Sequence, residues 1–207
     1  MKSRGKFITL EGMDGAGKST HIPHIIAQLE ATSLEVVSTR EPGGTVLGEQ
    51  LRGLLLYEQM HPETETLLMF AARREHVAKV IAPALKRGAY VLSDRFTDAT
   101  FAYQCGGKGV ASDKIKQLEK WVQGSLQPDL TLLFDVPVET SMKRLASARE
   151  PDKFEREGAI FFEKLRVAYL SRAAENPHRF YIINANQTLE NVKIQVNKVV
   201  EQFILNN

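Results

Sequence analysis

Residues Gly12 to Ser19 read GMDGAGKS and match the pattern G-x-x-x-x-G-K-[ST]. The segment before them, KFITLEG, is a short apolar run ending in glycine, which reads as a buried parallel strand. The segment after them, from about Lys18 to Leu29, reads as a helix. Strand, glycine-rich turn and helix in that order leave few folds open. The glycines let the backbone turn tightly and point successive N–H groups into one concavity. The positive end of the helix adds its attraction for anions. Such a loop binds nucleotide phosphates, so Gly12, Met13, Asp14, Gly15, Ala16, Gly17, Lys18, Ser19 and Thr20 form the candidate set. Lys18 can reach the β and γ phosphates, and the Ser19 hydroxyl can ligate Mg²⁺.

The rest of the chain alternates strand and helix. EVVSTR (35–40), AYVLSDR (89–95), DLTLLFDV (129–136) and RFYIIN (179–184) read as four more strands. Helices are expected near 46–56, from about Glu63 to Arg87 with a break near Ala82 before Pro83, over 112–126 with Ser112 as N-cap, and over 139–146. Phe162, Leu165 and Tyr169 mark another helix, and Leu189, Val192, Val196, Val199 and Phe203 the last. The expected fold is α/β: a five-stranded parallel sheet with helices on both faces, of the phosphate-loop NTPase type. Ligands in such folds sit at the carboxyl ends of the strands.

A length of 207 residues suits one domain (1–207) with a sizeable core. A single cysteine, Cys105, excludes an internal disulfide and fits a reducing compartment. The N-terminus carries too short an apolar run for a signal peptide or membrane span, so a cytoplasmic protein without a membrane partner is expected. A net charge of +2 gives no support to a nucleic-acid partner. The five histidines show no metal-ligand spacing.

A phosphate loop occurs in GTPases, ATPases and small-molecule kinases. No N-K-x-D run is present to read guanine. A kinase needs a second pocket for its acceptor, and four stretches offer one: REPGGT (40–45), FAARR with Phe70 and Arg74 one turn apart, SDRF with Asp94 and Arg95 at a strand end, and TFAYQCGGKG with Thr100, Tyr103 and Gln104. With EGMDGAGKST, these stretches in this order resemble the thymidylate kinase family over nearly the whole chain.

The resemblance implies ATP-dependent phosphorylation of dTMP to dTDP, with Mg²⁺, by direct in-line transfer in a homodimer. It implies a dTMP site of Asp14, Arg40, Phe70, Arg74, Arg95, Thr100, Tyr103 and Gln104. Phe70 would stack on thymine and Arg74 would reach its O4. Arg95 would hold the acceptor phosphate, with Arg40 a second candidate for that phosphate or for holding its own loop. Asp14 would accept from the sugar 3′-hydroxyl, and Tyr103 would stand near the 2′ position. Asp94 would organise Mg²⁺ or its waters; Asp135 is the competing carboxylate. Lys18, Arg95, Asp94 and Arg149 are the candidate catalytic groups. The polar stretch SAREPDKFEREG (147–158) would be a mobile lid, with Arg149 and Lys153 reaching ATP and Arg156 a further basic group. Lysine stands at 153 where relatives often have arginine, which removes a bidentate fork. A kinase of another small acceptor, and a regulatory ATPase with no acceptor, are the rival readings.

Overall fold

In a computed structural model, residues 4–146 and 152–206 are described. Five strands, β1 (Phe7–Glu11), β2 (Val36–Arg40), β3 (Tyr90–Asp94), β4 (Leu130–Asp135) and β5 (Phe180–Asn184), form one sheet in the order β2-β3-β1-β4-β5. Every pairing is parallel. Strand β1 is buried at each of its positions, as an inner strand covered on both faces must be.

Alternation along the strands sorts the core into two layers. Ile8, Leu10, Leu92 and Leu132 pack with Ile25 and Leu29 of α1 (Lys18–Glu30) and with Val196 and Val200 of α9 (Leu189–Leu205). Phe7 and Val91 face the other way, onto Val77, Ile81 and Leu85. The sheet is thus covered on both faces, as the strand and helix alternation predicts. The register sets Leu10 opposite Asp94 and Glu11 opposite Leu133, which brings Glu11, Asp94 and Asp135 together at the carboxyl edge.

The remaining helices are α2 (Val46–Tyr57), α3 (Pro62–His76), α4 (Ala82–Arg87), α5 (Thr97–Thr100), α6 (Ser112–Gln123), α7 (Val138–Ala146) and α8 (Ala159–Glu175). The long helix expected over 63–87 does break, but through a wider turn. A π-helical stretch, Val77–Ile81, joins α3 to α4. Pro83 lacks an N–H and its ring crowds the preceding turn, which accounts for the widening. A second π-helical stretch, Phe101–Gly107, extends α5 and carries Tyr103 and Gln104. Ser112 is not the N-cap of α6: Ala111 holds that position in extended backbone and Ser112 is already helical. That helix stops at Gln123, because Gly124 takes φ 60°.

A buried ion cluster pins α5 to α8 and to the start of β5. Arg179 donates to Asp98 at 2.7 and 3.0 Å, and Arg172 donates to the same carboxylate at 3.0 Å. The chain that follows β3 into the site is therefore anchored from behind. Among the described residues, no helix is long and apolar enough to cross a membrane.

Candidate active site

The phosphate loop joins β1 to α1. Gly17, with φ 95°, turns the chain into the helix. Lys18 is 6% exposed and folds back over the loop, donating to the carbonyls of Gly12 at 2.8 Å and Met13 at 2.9 Å. Burial, then the Arg95 cation, lowers its pKa to about 8 against the pull of Asp94, Asp14 and Glu11. Ser19 and Thr20 are exposed in the first turn of α1. Gly15, with φ 76°, has a second reason to lack a side chain: a Cβ there would stand 2.5 Å from the Ser141 carbonyl of α7. Arg144 of α7 donates to the carbonyls of Gly15 at 3.3 Å and Ala185 at 3.1 Å, a bridge across the loop that the sequence motifs did not signal.

Beside the loop opens a pocket at the carboxyl edge of β3. Arg95, the residue after β3, has φ 72°, rare for a residue with a side chain. Its backbone N–H donates to Leu10 and its carbonyl accepts from Ser93 Oγ at 2.7 Å. That fixed backbone aims the guanidinium back at the loop. Nη2 donates to Asp14 Oδ1 at 2.7 Å and to the Tyr103 hydroxyl at 3.0 Å, and Nη1 donates to the Tyr169 hydroxyl at 3.0 Å. Tyr103 in turn donates to Asp14 Oδ2 at 2.6 Å. Burial works to raise the Asp14 pKa, but Arg95, Lys18 and Tyr103 together hold it well below the usual carboxylate range. Arg95 stays charged.

Glu11 backs this network from the end of β1, and nothing in the motifs marked it. Its carboxyl accepts from the Phe96 N–H at 2.7 Å and lies 3.1 Å from the Tyr169 hydroxyl. Complete burial and then the Asp98 carboxylate raise its pKa to about 8.

The far end of the pocket corrects the sequence reading by one residue. Phe70 and Arg74 do not face it. Phe70 is buried in a separate cluster with Phe101, Val110 and Ile115, and the exposed Arg74 donates to the Val122 carbonyl at 2.8 Å. Met69 and Arg73 line the pocket instead. Both pairs have the same spacing, so a helical period alone does not say which face is inward. Arg73 is 2% exposed. It donates to Glu41 at 2.7 Å and to Thr100 Oγ1 at 2.9 Å, while its Nη1 is buried without a partner among the described residues. His76 sits 2.8 Å from the other Glu41 oxygen.

Thr100, Tyr103 and Gln104 line the pocket. Arg40 does not: it pairs with Glu49 at 2.8 Å, half exposed, and Glu49 also accepts from the Gly44 N–H. Of its two expected tasks, holding the loop is the one this contact serves. Arg52, which carried no signal in the sequence, lines the pocket and donates to the Pro42 carbonyl at 2.9 Å. Cys105 packs against the Phe70 cluster, and burial raises its thiol pKa.

Asp94 and Asp135 separate clearly. Asp135 is held by Arg166 at 2.8 and 2.9 Å. The Oδ1 of Asp94 is buried without a partner among the described residues. No cluster of three or more His, Cys, Asp or Glu able to hold a metal occurs among the described residues. Arg149 lies outside the described residues. Lys153 does not turn toward the phosphate loop: its ammonium is held by Glu65 at 2.7 Å and the Glu58 carbonyl at 2.9 Å. The expected ATP contact would require both to break. Its neighbours Asp152 and Phe154 line the pocket beside the loop, and Phe154 meets Tyr103 edge-on.

Known proteins are similar to this chain in sequence and in fold. Residues 10–196 match the family model described as thymidylate kinase. A thymidylate kinase of Methylobacillus flagellatus is 66% identical over 97% of this chain and 98% of its own length. One of Nitrosomonas europaea is 59% identical over 97% and 94%. The crystal structure of thymidylate kinase from Ehrlichia chaffeensis superposes with TM-score 0.77 at 35% identity, covering 95% of this chain and 99% of that one. With a phosphate loop, a second pocket against it, a family model matched over residues 10–196 and relatives similar over nearly the whole chain, the chain belongs to the thymidylate kinase family.

Proposed function

We infer that the chain phosphorylates dTMP to dTDP with ATP as donor, and that the pocket beside the phosphate loop receives dTMP. One observation carries the site assignment. The pocket offers a charged guanidinium, Arg95, against the loop, and a buried unsatisfied donor, Arg73 Nη1, on α3. A phosphate suits the first and a base carbonyl the second. Asp14 and Tyr103 stand on the loop side and suit the sugar, Asp14 as acceptor for the 3′-hydroxyl. Thr100 and Gln104 complete the base end.

On the donor side, Lys18 exchanges the Gly12 and Met13 carbonyls for the β and γ phosphates. Ser19 and Asp94 would hold Mg²⁺ or its waters, and the orphaned Asp94 oxygen fits that task. The ion would neutralise phosphate charge; a Mg²⁺ carried largely by phosphates and water needs few protein ligands. Transfer is direct and in line. A phosphate acceptor is already an anion near neutral pH, so the protein positions and neutralises rather than removes a proton. Arg149, on a basic lid at about 147–158 of a single kinase domain, is the group proposed to stabilise the moving phosphoryl. Leu47, Leu54 and Tyr57 of α2 and Leu67 of α3 are exposed apolar side chains, which favours a homodimer. One cysteine and the absence of a spanning helix among the described residues favour the cytoplasm.

The test is ADP formation with ATP and Mg²⁺ against dTMP, dUMP, dCMP, dGMP, UMP and no acceptor. Turnover dependent on dTMP is expected. A different responsive acceptor would reassign the pocket, and ATP turnover indifferent to every acceptor would favour a regulatory ATPase.

A further inference from the structure

Glu65, in the first turn of α3, is fully buried, and phosphoryl transfer as derived above makes no use of it. Three donors share its carboxylate: Gln104 Nε2 at 2.9 Å, Lys108 Nζ at 3.2 Å and Lys153 Nζ at 2.7 Å. A carboxylate removed from water is costly unless it is paired, and here two ammonium groups and an amide compensate it. Glu65, Lys108 and Lys153 do not line the acceptor pocket themselves, but Gln104 does, and so do the chain neighbours of Lys153. Gln104 is one wall. Lys153 is flanked by Asp152 and Phe154, which form part of another, and its own N–H bonds the Leu56 carbonyl.

We propose that Glu65 is a positioning residue for base specificity: it fixes the orientation of the Gln104 amide and braces the Asp152–Phe154 wall through Lys153. The proposal rests on the reading that Gln104 faces the base. An ionised carboxylate only accepts, so Gln104 must turn its NH₂ group toward Glu65. That leaves its carbonyl oxygen as the group available to the pocket. A carbonyl oxygen accepts from the N3–H of thymine or uracil. Cytosine presents an acceptor at N3, so the same geometry sets two acceptors against each other. Glutamine can flip with little change of shape, and a flipped amide would lose this distinction. The buried carboxylate prevents the flip, and Arg73 Nη1 supplies a donor of the same sense for O4.

The experiment compares kcat/KM for dTMP and dCMP in the wild type, Gln104→Ala and Glu65→Gln. The ratio is independent of how much enzyme is folded. A glutamine at 65 can donate as well as accept, so Gln104 is free to turn over. The dTMP/dCMP ratio is expected to fall about ten- to hundred-fold in both variants, mainly through a higher KM for dTMP. Should Glu65→Gln alone fail to fold, Glu65→Gln/Lys153→Met removes one stranded ammonium and is read in the same way. Loss of the ratio in Gln104→Ala with a wild-type ratio at position 65 overturns this inference and leaves the base reading standing. An unchanged ratio in Gln104→Ala overturns both.

Discussion

Arg95 Nη2 meets Asp14 Oδ1 at 2.7 Å, and that pair is the seam between the two halves of the site. Asp14 belongs to the phosphate loop and Arg95 to the end of β3. A carboxylate among phosphate-binding amides is unfavourable for ATP taken alone. Its position against Arg95 and Tyr103 turns it toward the pocket beside the loop. Because Arg95 holds φ 72° within a fixed backbone, the guanidinium is placed before any ligand arrives.

Replacing that fork by a point charge tests its task. Arg95→Lys is expected to lower kcat/KM for dTMP by about a hundred-fold, about 3 kcal/mol, while ATP affinity changes by only a few-fold. Steady-state kinetics in dTMP, with ATP binding measured separately, gives both numbers. A variant retaining near-wild-type kcat/KM would remove Arg95 from the acceptor site.

Two neighbouring arginines on α3 should behave very differently. Arg73→Ala leaves the buried Glu41 with His76 as its side-chain partner and removes a pocket donor, so it should cost about 2–3 kcal/mol of stability as well as dTMP affinity. Arg74→Ala loses one bond to the Val122 carbonyl and should cost about 1 kcal/mol, with little change in dTMP binding. Denaturant unfolding and dTMP titration on the pair decide it. Equal effects on dTMP binding would contradict the one-residue shift.

Gly15 is caught between the loop and α7. Gly15→Ala must hold φ 76° and place a Cβ 2.5 Å from the Ser141 carbonyl. The left-handed backbone costs about 1–2 kcal/mol and the overpacking about as much again. A lower Tm and at least ten-fold weaker ATP binding are expected, measured by calorimetry. Wild-type ATP affinity would show that α7 yields at that point.

Glu11 gives the fold a pH dependence of definite sign. Its folded pKa is about 8 against an ordinary 4.5, so the folded state keeps a proton that the unfolded state has released. Raising pH through that window therefore favours unfolding, and the effect levels off above the folded pKa. Asp14 works in the opposite sense but only in acid: its contribution is lost as pH falls below the ordinary carboxylate range. Glu11→Gln should flatten the decline of stability between about pH 5 and 8, followed by urea unfolding at fixed pH steps. An unaltered slope would mean that other groups set it.

What the sequence determined by itself was the sheet, the phosphate loop and the list of elements that meet there. Those rest on local physics: apolar runs of strand length, glycines where the chain must turn, and Pro83 where a helix cannot continue regularly. Gly12 to Ser19 is legible because its chemistry lies in consecutive backbone groups. Tertiary structure decided the rest. Met69/Arg73 and Phe70/Arg74 have identical spacing, and only the packing of α3 on α2, α6 and the stretch around Phe101 says which pair is inward. Arg40 pairs with Glu49 whereas Arg52 bonds the Pro42 carbonyl, and Arg166 holds Asp135 whereas Asp94 Oδ1 has no hydrogen-bond partner among the described residues. Glu11, Glu65 and Tyr169 act across long stretches of chain, on partners that no spacing in the sequence relates to them. Their roles come from burial, which makes each unpaired polar atom costly and so fixes who bonds to whom.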